Sequence, residues 1–139
     1  MKRLLLLSAL ILLIASCKKT EFSPEGPTDI RIRNLSDQPF TDVIIKTSEY
    51  EEDVDTIASL PAGGTSEYLR FKKAYPKATI SAKVNINGSV ITVSTGTEDF
   101  TYLNYLSTQR VTFEVYIPDL TAGKLEISKV IPEEELVLK

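Results

Sequence analysis

The chain has no histidine and no tryptophan, and it has a single cysteine and a single methionine among 139 residues. The missing histidine excludes the Ser-His-Asp and Cys-His nucleophile arrangements and the usual imidazole sites for zinc and iron. With Cys17 alone, no disulfide can form within the chain in any redox compartment. There is no internal repeat and no low-complexity stretch, and only residues 67–75 carry a trace of helical period. The chemistry left open is carboxylate catalysis, a Ser–Lys pair or a bound hard cation.

Long apolar runs are also scarce, and the one present is informative. Residues 4–15 contain Ser8 as their only polar member and follow Lys2 and Arg3. As a helix, twelve residues rise roughly 18 Å, short of the ~30 Å hydrocarbon core but right for the apolar region of a signal peptide. The run ends in Ile14, Ala15, Ser16 and Cys17, which resembles the lipobox of bacterial lipoproteins. The resemblance implies cleavage after Ser16 and lipid attachment at Cys17. Lipidation accounts for a lone exported thiol and leaves none for catalysis or soft metals. Two or three acyl chains, at roughly 0.8 kcal/mol per buried CH₂, hold a protein far more firmly than one.

Residues 18–27 are polar, with Pro24, Gly26 and Pro27, and form a tether. Ten residues reach roughly 33–36 Å when extended. Lys18 stands where the inner-membrane retention signal of proteobacteria has Asp. The expected address is therefore the outer membrane, lipid-anchored, on its periplasmic face or at the cell surface.

Loss of residues 1–16 takes Lys2 and Arg3 from the 16 bases and none of the 19 acids, leaving 14 against 19 and a net charge of −5. That balance argues against nucleic acid and against adhesion to anionic lipid by charge. What remains after the tether is one domain's length, enough for a single core.

Period-two alternation recurs through this domain, broken by turn residues. Residues 28–34 place Ile30 and Ile32 on one face and Arg31 and Arg33 on the other. Residues 41–47 form a second strand whose Val43, Ile44 and Ile45 suit burial, and residues 54–60 a third. A turn at 61–64 leads into an extended segment, 65–71. Asn87 and Gly88 are the preferred dipeptide of a type I′ hairpin. A two-residue loop there pairs Ile86 with Ser89, Val84 with Ile91, Ala82 with Val93 and Ile80 with Thr95, which gathers the apolar residues on one face. Further strands are expected at 100–106, 110–117 and 124–131, with a short strand or fraying after Pro132. Seven to eight short strands at turn spacings of about 8–12 residues point to an all-β fold, a single antiparallel β-sandwich.

From Ile30 onward, the segments IRIRNLSDQPFTDVII and LPAGGTSEYLRFKKAYP and the apolar hairpin are similar to small lipoproteins of the Bacteroidetes, as is the start at Cys17, Lys18 and Lys19. The resemblance implies an immunoglobulin-like sandwich and an envelope address, and it carries no site residues.

Two clusters invite a functional reading. Glu49, Glu51, Glu52, Asp53 and Asp55 crowd residues 49–55. Ca²⁺ wants six to eight oxygens, but the run lacks the glycine turn and spaced ligands of a calcium loop. A solvated loop that discourages edge pairing is the expectation, with a cation site as the alternative. Tyr68, Arg70, Phe71, Lys72, Lys73, Tyr75 and Lys77 interleave rings and cations. They form either a recognition strip for an acidic partner or a glycan, or rings packed inward beneath snorkelling cations, and the second is preferred. Among Tyr102, Tyr105 and Tyr116, Tyr116 is the expected exposed ring.

The domains expected are thus a signal peptide at 1–16, a lipidated Cys17 with tether at 17–27, and a β-sandwich at 28–139. The function expected is a non-enzymatic envelope module, anchored to the membrane by lipid, with a protein or glycan partner and no cofactor, metal or nucleic acid. The alternatives are a purely structural subunit and a polysaccharide-directed enzyme using two acids about 5–9 Å apart.

Overall fold

Alternation gives each strand a buried face and a wet one, and the fold follows from how those faces meet. The computed structural model describes residues 25–135; Cys17, the signal segment and the tether up to residue 24 lie outside them. The elements are β1 (Thr28–Asn34), β2 (Phe40–Lys46), β3 (Val54–Leu60), β4 (Leu69–Phe71), β5 (Thr79–Ile86), β6 (Ser89–Ser94), β7 (Gln109–Asp119) and β8 (Lys124–Glu135). No helix occurs among the described residues, and so none is long and apolar enough to cross a membrane.

The core is built from alternate residues. Ile30 and Ile32 of β1, Val43 and Ile45 of β2, Ile80, Ala82 and Val84 of β5, and Val111, Phe113 and Val115 of β7 are buried together with Phe40, Leu60 and Phe71. Each large apolar side chain so buried contributes about 1.5–3 kcal/mol. Ile44, between two buried neighbours, points outward and is 46% exposed, because period two overrides the apolar run around it. The β5–β6 hairpin has the expected register, with Asn87 and Gly88 at φ +52° and +86°. Ile86 and Ile91 beside its turn are half-buried.

The strand order is β3-β2-β5-β6-β8-β7-β1-β4, one eight-stranded sheet. The sheet is mixed, which corrects the antiparallel expectation. β1 runs parallel to β7, from Asp29 opposite Arg110 to Asn34 opposite Val115, and β6 meets β8 in parallel at the single pair Ser94 and Lys124. Alternation and turns specify the sequential hairpins β2–β3, β5–β6 and β7–β8, all antiparallel. They are silent on which distant strands become neighbours.

The two edges, β3 and β4, are linked by loop contacts. At one end the Asp53 carboxylate accepts hydrogen bonds from the Lys72 and Lys73 amides at 2.9 and 3.2 Å. At the other, the turn after β3 meets the end of β1, where the Asn34 amide donates to the Gly64 carbonyl at 2.9 Å and its side-chain amide to the Pro61 carbonyl at 3.2 Å. The sheet so drawn round is nearly a barrel. One further expectation is corrected. Residues 100–106 form no strand, since Tyr102 and Ser107 adopt φ +64° and +61°. Within the extended segment expected at 65–71, residues 69–71 pair with β1 and bury Phe71, and the trace of helical period at 67–75 gives no helix.

Candidate ligand groove

The long connection from β6 to β7 is irregular yet firmly held. Thr95 Oγ1 accepts from the Ile80 amide at 3.0 Å and donates to the Ala78 carbonyl at 3.2 Å, closing the end of the hairpin. The Glu98 amide donates to Thr79 Oγ1 at 3.1 Å. Asp99 Oδ1 accepts from the Thr101 amide at 2.9 Å and from its hydroxyl, which fixes the turn and holds the Asp99 carboxyl below its usual range. The Leu106 amide donates to the Ala74 carbonyl at 2.7 Å, and Thr28 Oγ1 donates to the Ser107 carbonyl at 2.6 Å.

Tyr75 packs beneath this connection. Its ring is buried, stacked on Phe100 at 5.1 Å and on Tyr105 at 4.5 Å between centroids. Burial first, then Tyr105 and Glu49, push the Tyr75 phenol well above its ordinary value, so it stays a donor, 3.4 Å from Glu49 Oε1. Lys73 lies over the Tyr105 ring at 4.9 Å and the Tyr50 ring at 5.4 Å and pairs with Glu25 at 2.6 Å. The hydrogen bond that Lys73 donates to Glu25 raises the Lys73 pKa against the opposing effect of burial. Glu25 and Gly26, at the end of the segment expected to be a tether, are thus clasped beside the aromatic stack. Gly26 is needed there, because a Cβ would stand 1.8 Å from the Lys72 carbonyl oxygen.

Between this loop and the outer face of β2 and β5 lies a broad groove of about 690 Å³, lined by Lys46, Glu49, Tyr75, Thr79 and residues 97–103. Tyr102 stands at it wholly in solvent, 101% exposed, on a backbone in the left-handed region. Past Glu98, which pairs with Lys77 at 3.6 Å, a second depression of about 450 Å³ continues along Pro76, Lys77 and the start of β8.

The comparisons with known proteins add the following. No family model and no curated protein matches the chain. Among solved structures, the NMR structure of a protein from Eubacterium rectale superposes with a TM-score of 0.50 at 11% identity, over 78% of this chain and 95% of that one. At that identity the likeness concerns the fold alone.

The residues singled out in the sequence are scattered by the fold. Within the acidic run, Asp53 is buried while Glu49, Glu51 and Glu52 are exposed; Glu52 pairs with Lys72 at 3.5 Å. Among the described residues no three acidic or cysteine side chains converge as a metal site. The Tyr68–Lys77 strip divides. Phe71 and Tyr75 are buried, Arg70 is exposed in a two-pronged pair with Asp29 at 2.7 and 3.0 Å, and Tyr68 is half-buried between Arg31 and Arg110 at 4.8 and 5.0 Å. Tyr116 is not the exposed ring: it is half-buried and donates to Glu126 Oε2 at 2.6 Å. That place belongs to Tyr102. The local signal for it was Asp99 two residues before Thr101, a turn signature inside what alternation presented as a strand. Cys17 lies outside the described residues.

Proposed function

We propose that the chain is a lipid-anchored envelope module that binds a ligand in the groove and performs no catalysis. Its two four-stranded halves, joined at the Ser94–Lys124 pair, are read as the layers of an immunoglobulin-like sandwich of the Bacteroidetes lipoprotein type. The address rests on the lipobox residues that end at Cys17. Binding rests on one observation, the wholly exposed Tyr102 ring held at a polar groove by a hydrogen-bonded loop.

The carboxylates of the groove favour binding over the enzymatic alternative. Asp99 is tied to Thr101 and shifted downward, opposite to the upward shift a general acid needs. Glu98 is paired with Lys77, and Glu49 accepts from Tyr75.

Fractionation of cells expressing the wild type and Cys17→Ser tests the address. The wild type is expected in the membrane fraction and the variant outside it; equal membrane retention refutes the anchor. Protease treatment of intact and permeabilised cells then assigns the face. For binding, immobilised full chain is exposed to separated envelope polysaccharide and protein fractions. A fraction held by the wild type and released by Tyr102→Ala supports the groove, and equal retention by both overturns it.

A further inference from the structure

We infer that the groove takes an uncharged, chain-like saccharide, with a pyranose face stacked on Tyr102 and its hydroxyls donating to the groove carboxylates. This rests on the binding reading above and names its ligand class. Three properties converge on it.

The first is the platform. An exposed phenol ring offers a flat apolar face with a polar rim, which matches the C–H face of a sugar ring. Tyr102 lends nothing to the core, since all of it is in solvent. Its φ of +64° is unfavourable for a non-glycine residue.

The second is the polar lining. Glu49, Glu98 and Asp99 are acceptors, while Thr79, Thr97 and Thr101 carry hydroxyls. A lining with acceptors in excess suits a ligand that chiefly donates, which describes a polyol. Over the two depressions the carboxylates of Glu49, Glu98, Asp99 and Glu126 stand against Lys46, Lys77, Lys124 and Lys129, a balanced charge that suits an uncharged ligand better than a phosphate or a uronate. A purely apolar occupant would strip water from those carboxylates without replacing the lost hydrogen bonds.

The third is shape. The groove is broad and continues past Glu98 into the depression along Lys77 and Lys124. An extended track fits several linked rings better than one small metabolite, for which sites usually enclose most of the ligand.

The test is calorimetric titration of the full chain in a sugar-free detergent. The probes are maltohexaose, cellohexaose, mannohexaose and chitohexaose, with hexagalacturonate and hexalysine as charged controls. At least one neutral hexasaccharide is expected to bind, Tyr102→Phe to keep that affinity, and Tyr102→Ala to lose about tenfold or more. Because the ring is solvent-exposed, the alanine variant should melt within a few degrees of wild type, which separates lost binding from lost folding. Absence of binding by all four neutral probes overturns the inference, as does preference for either charged control or indifference to Tyr102→Ala. If an envelope fraction still depends on Tyr102 while these sugars fail, the ligand class falls and the binding reading stands.

Discussion

Asp53 sits in the most acidic stretch of the chain and is nevertheless 1% exposed. Its carboxylate accepts from Ser48 Oγ at 2.7 Å and from two backbone amides across the seam, those of Lys72 and Lys73. A buried carboxylate with three donors is satisfied, but its removal strands all three. Asp53→Ala should therefore cost about 2–4 kcal/mol, read as a lower urea midpoint. The neighbouring Glu51→Ala, on an exposed side chain, should change stability by about 0.5 kcal/mol or less. Equal effects from the two would refute the bracing role of Asp53. Composition concealed this division of labour: five acids in seven residues look alike until the chain folds, and only Asp53 meets the 72–73 amides. Tyr102 shows the converse, where a local turn signature was outweighed by apparent alternation.

Among elements, the outer faces of β1, β4, β7 and β8 carry a charged network that alternation also leaves unspecified. Glu133 accepts from Arg31 at 2.6 Å and from Thr112 and Tyr68, while the Tyr68 ring is held between Arg31 and Arg110. Burial acts to raise the Glu133 pKa, but the hydrogen bonds from Thr112, Tyr68 and Arg31 outweigh it and hold the carboxyl at about 2. A carboxyl depressed on folding stabilises above its unfolded pKa of about 4.5, and that stability is lost as pH falls toward 2. Glu133→Gln should thus be less stable than wild type at pH 7, with the gap closing between about pH 4.5 and 2. Urea titrations of both proteins across that range measure it, and a gap constant with pH would refute it. The strands β1, β2, β5, β6, β7 and the first part of β8 were legible because each alternates apolar and polar residues, and β3 because turn residues bound a short apolar run. The contacts that create this network, from Arg31 of β1 to Thr112 of β7 and to Glu133 of β8, join residues 81 and 102 apart, and no local pattern encodes them.

At the scale of the whole molecule, the sheet is thinnest where β6 meets β8. The Ser94 amide donates to the Gly123 carbonyl at 2.9 Å beside the single register pair. Gly123 adopts φ +64°, and a Cβ there would stand 2.8 Å from the Thr92 carbonyl oxygen. Gly123→Ala should cost about 1–3 kcal/mol and raise hydrogen exchange at the Ser94 amide about tenfold or more. Exchange at Ser94 indistinguishable from wild type would show that the halves do not hinge on this contact. The clasp of Glu25 on Lys73 has a different consequence. It brings the chain off the domain next to the aromatic stack, at the same pole as the groove. Under the anchor proposed at Cys17, the eight residues to Glu25 span at most about 29 Å. In that proposed arrangement the anchored pole is also the pole that carries the groove, so the volume open to it is a thin layer against the membrane and not the space beyond.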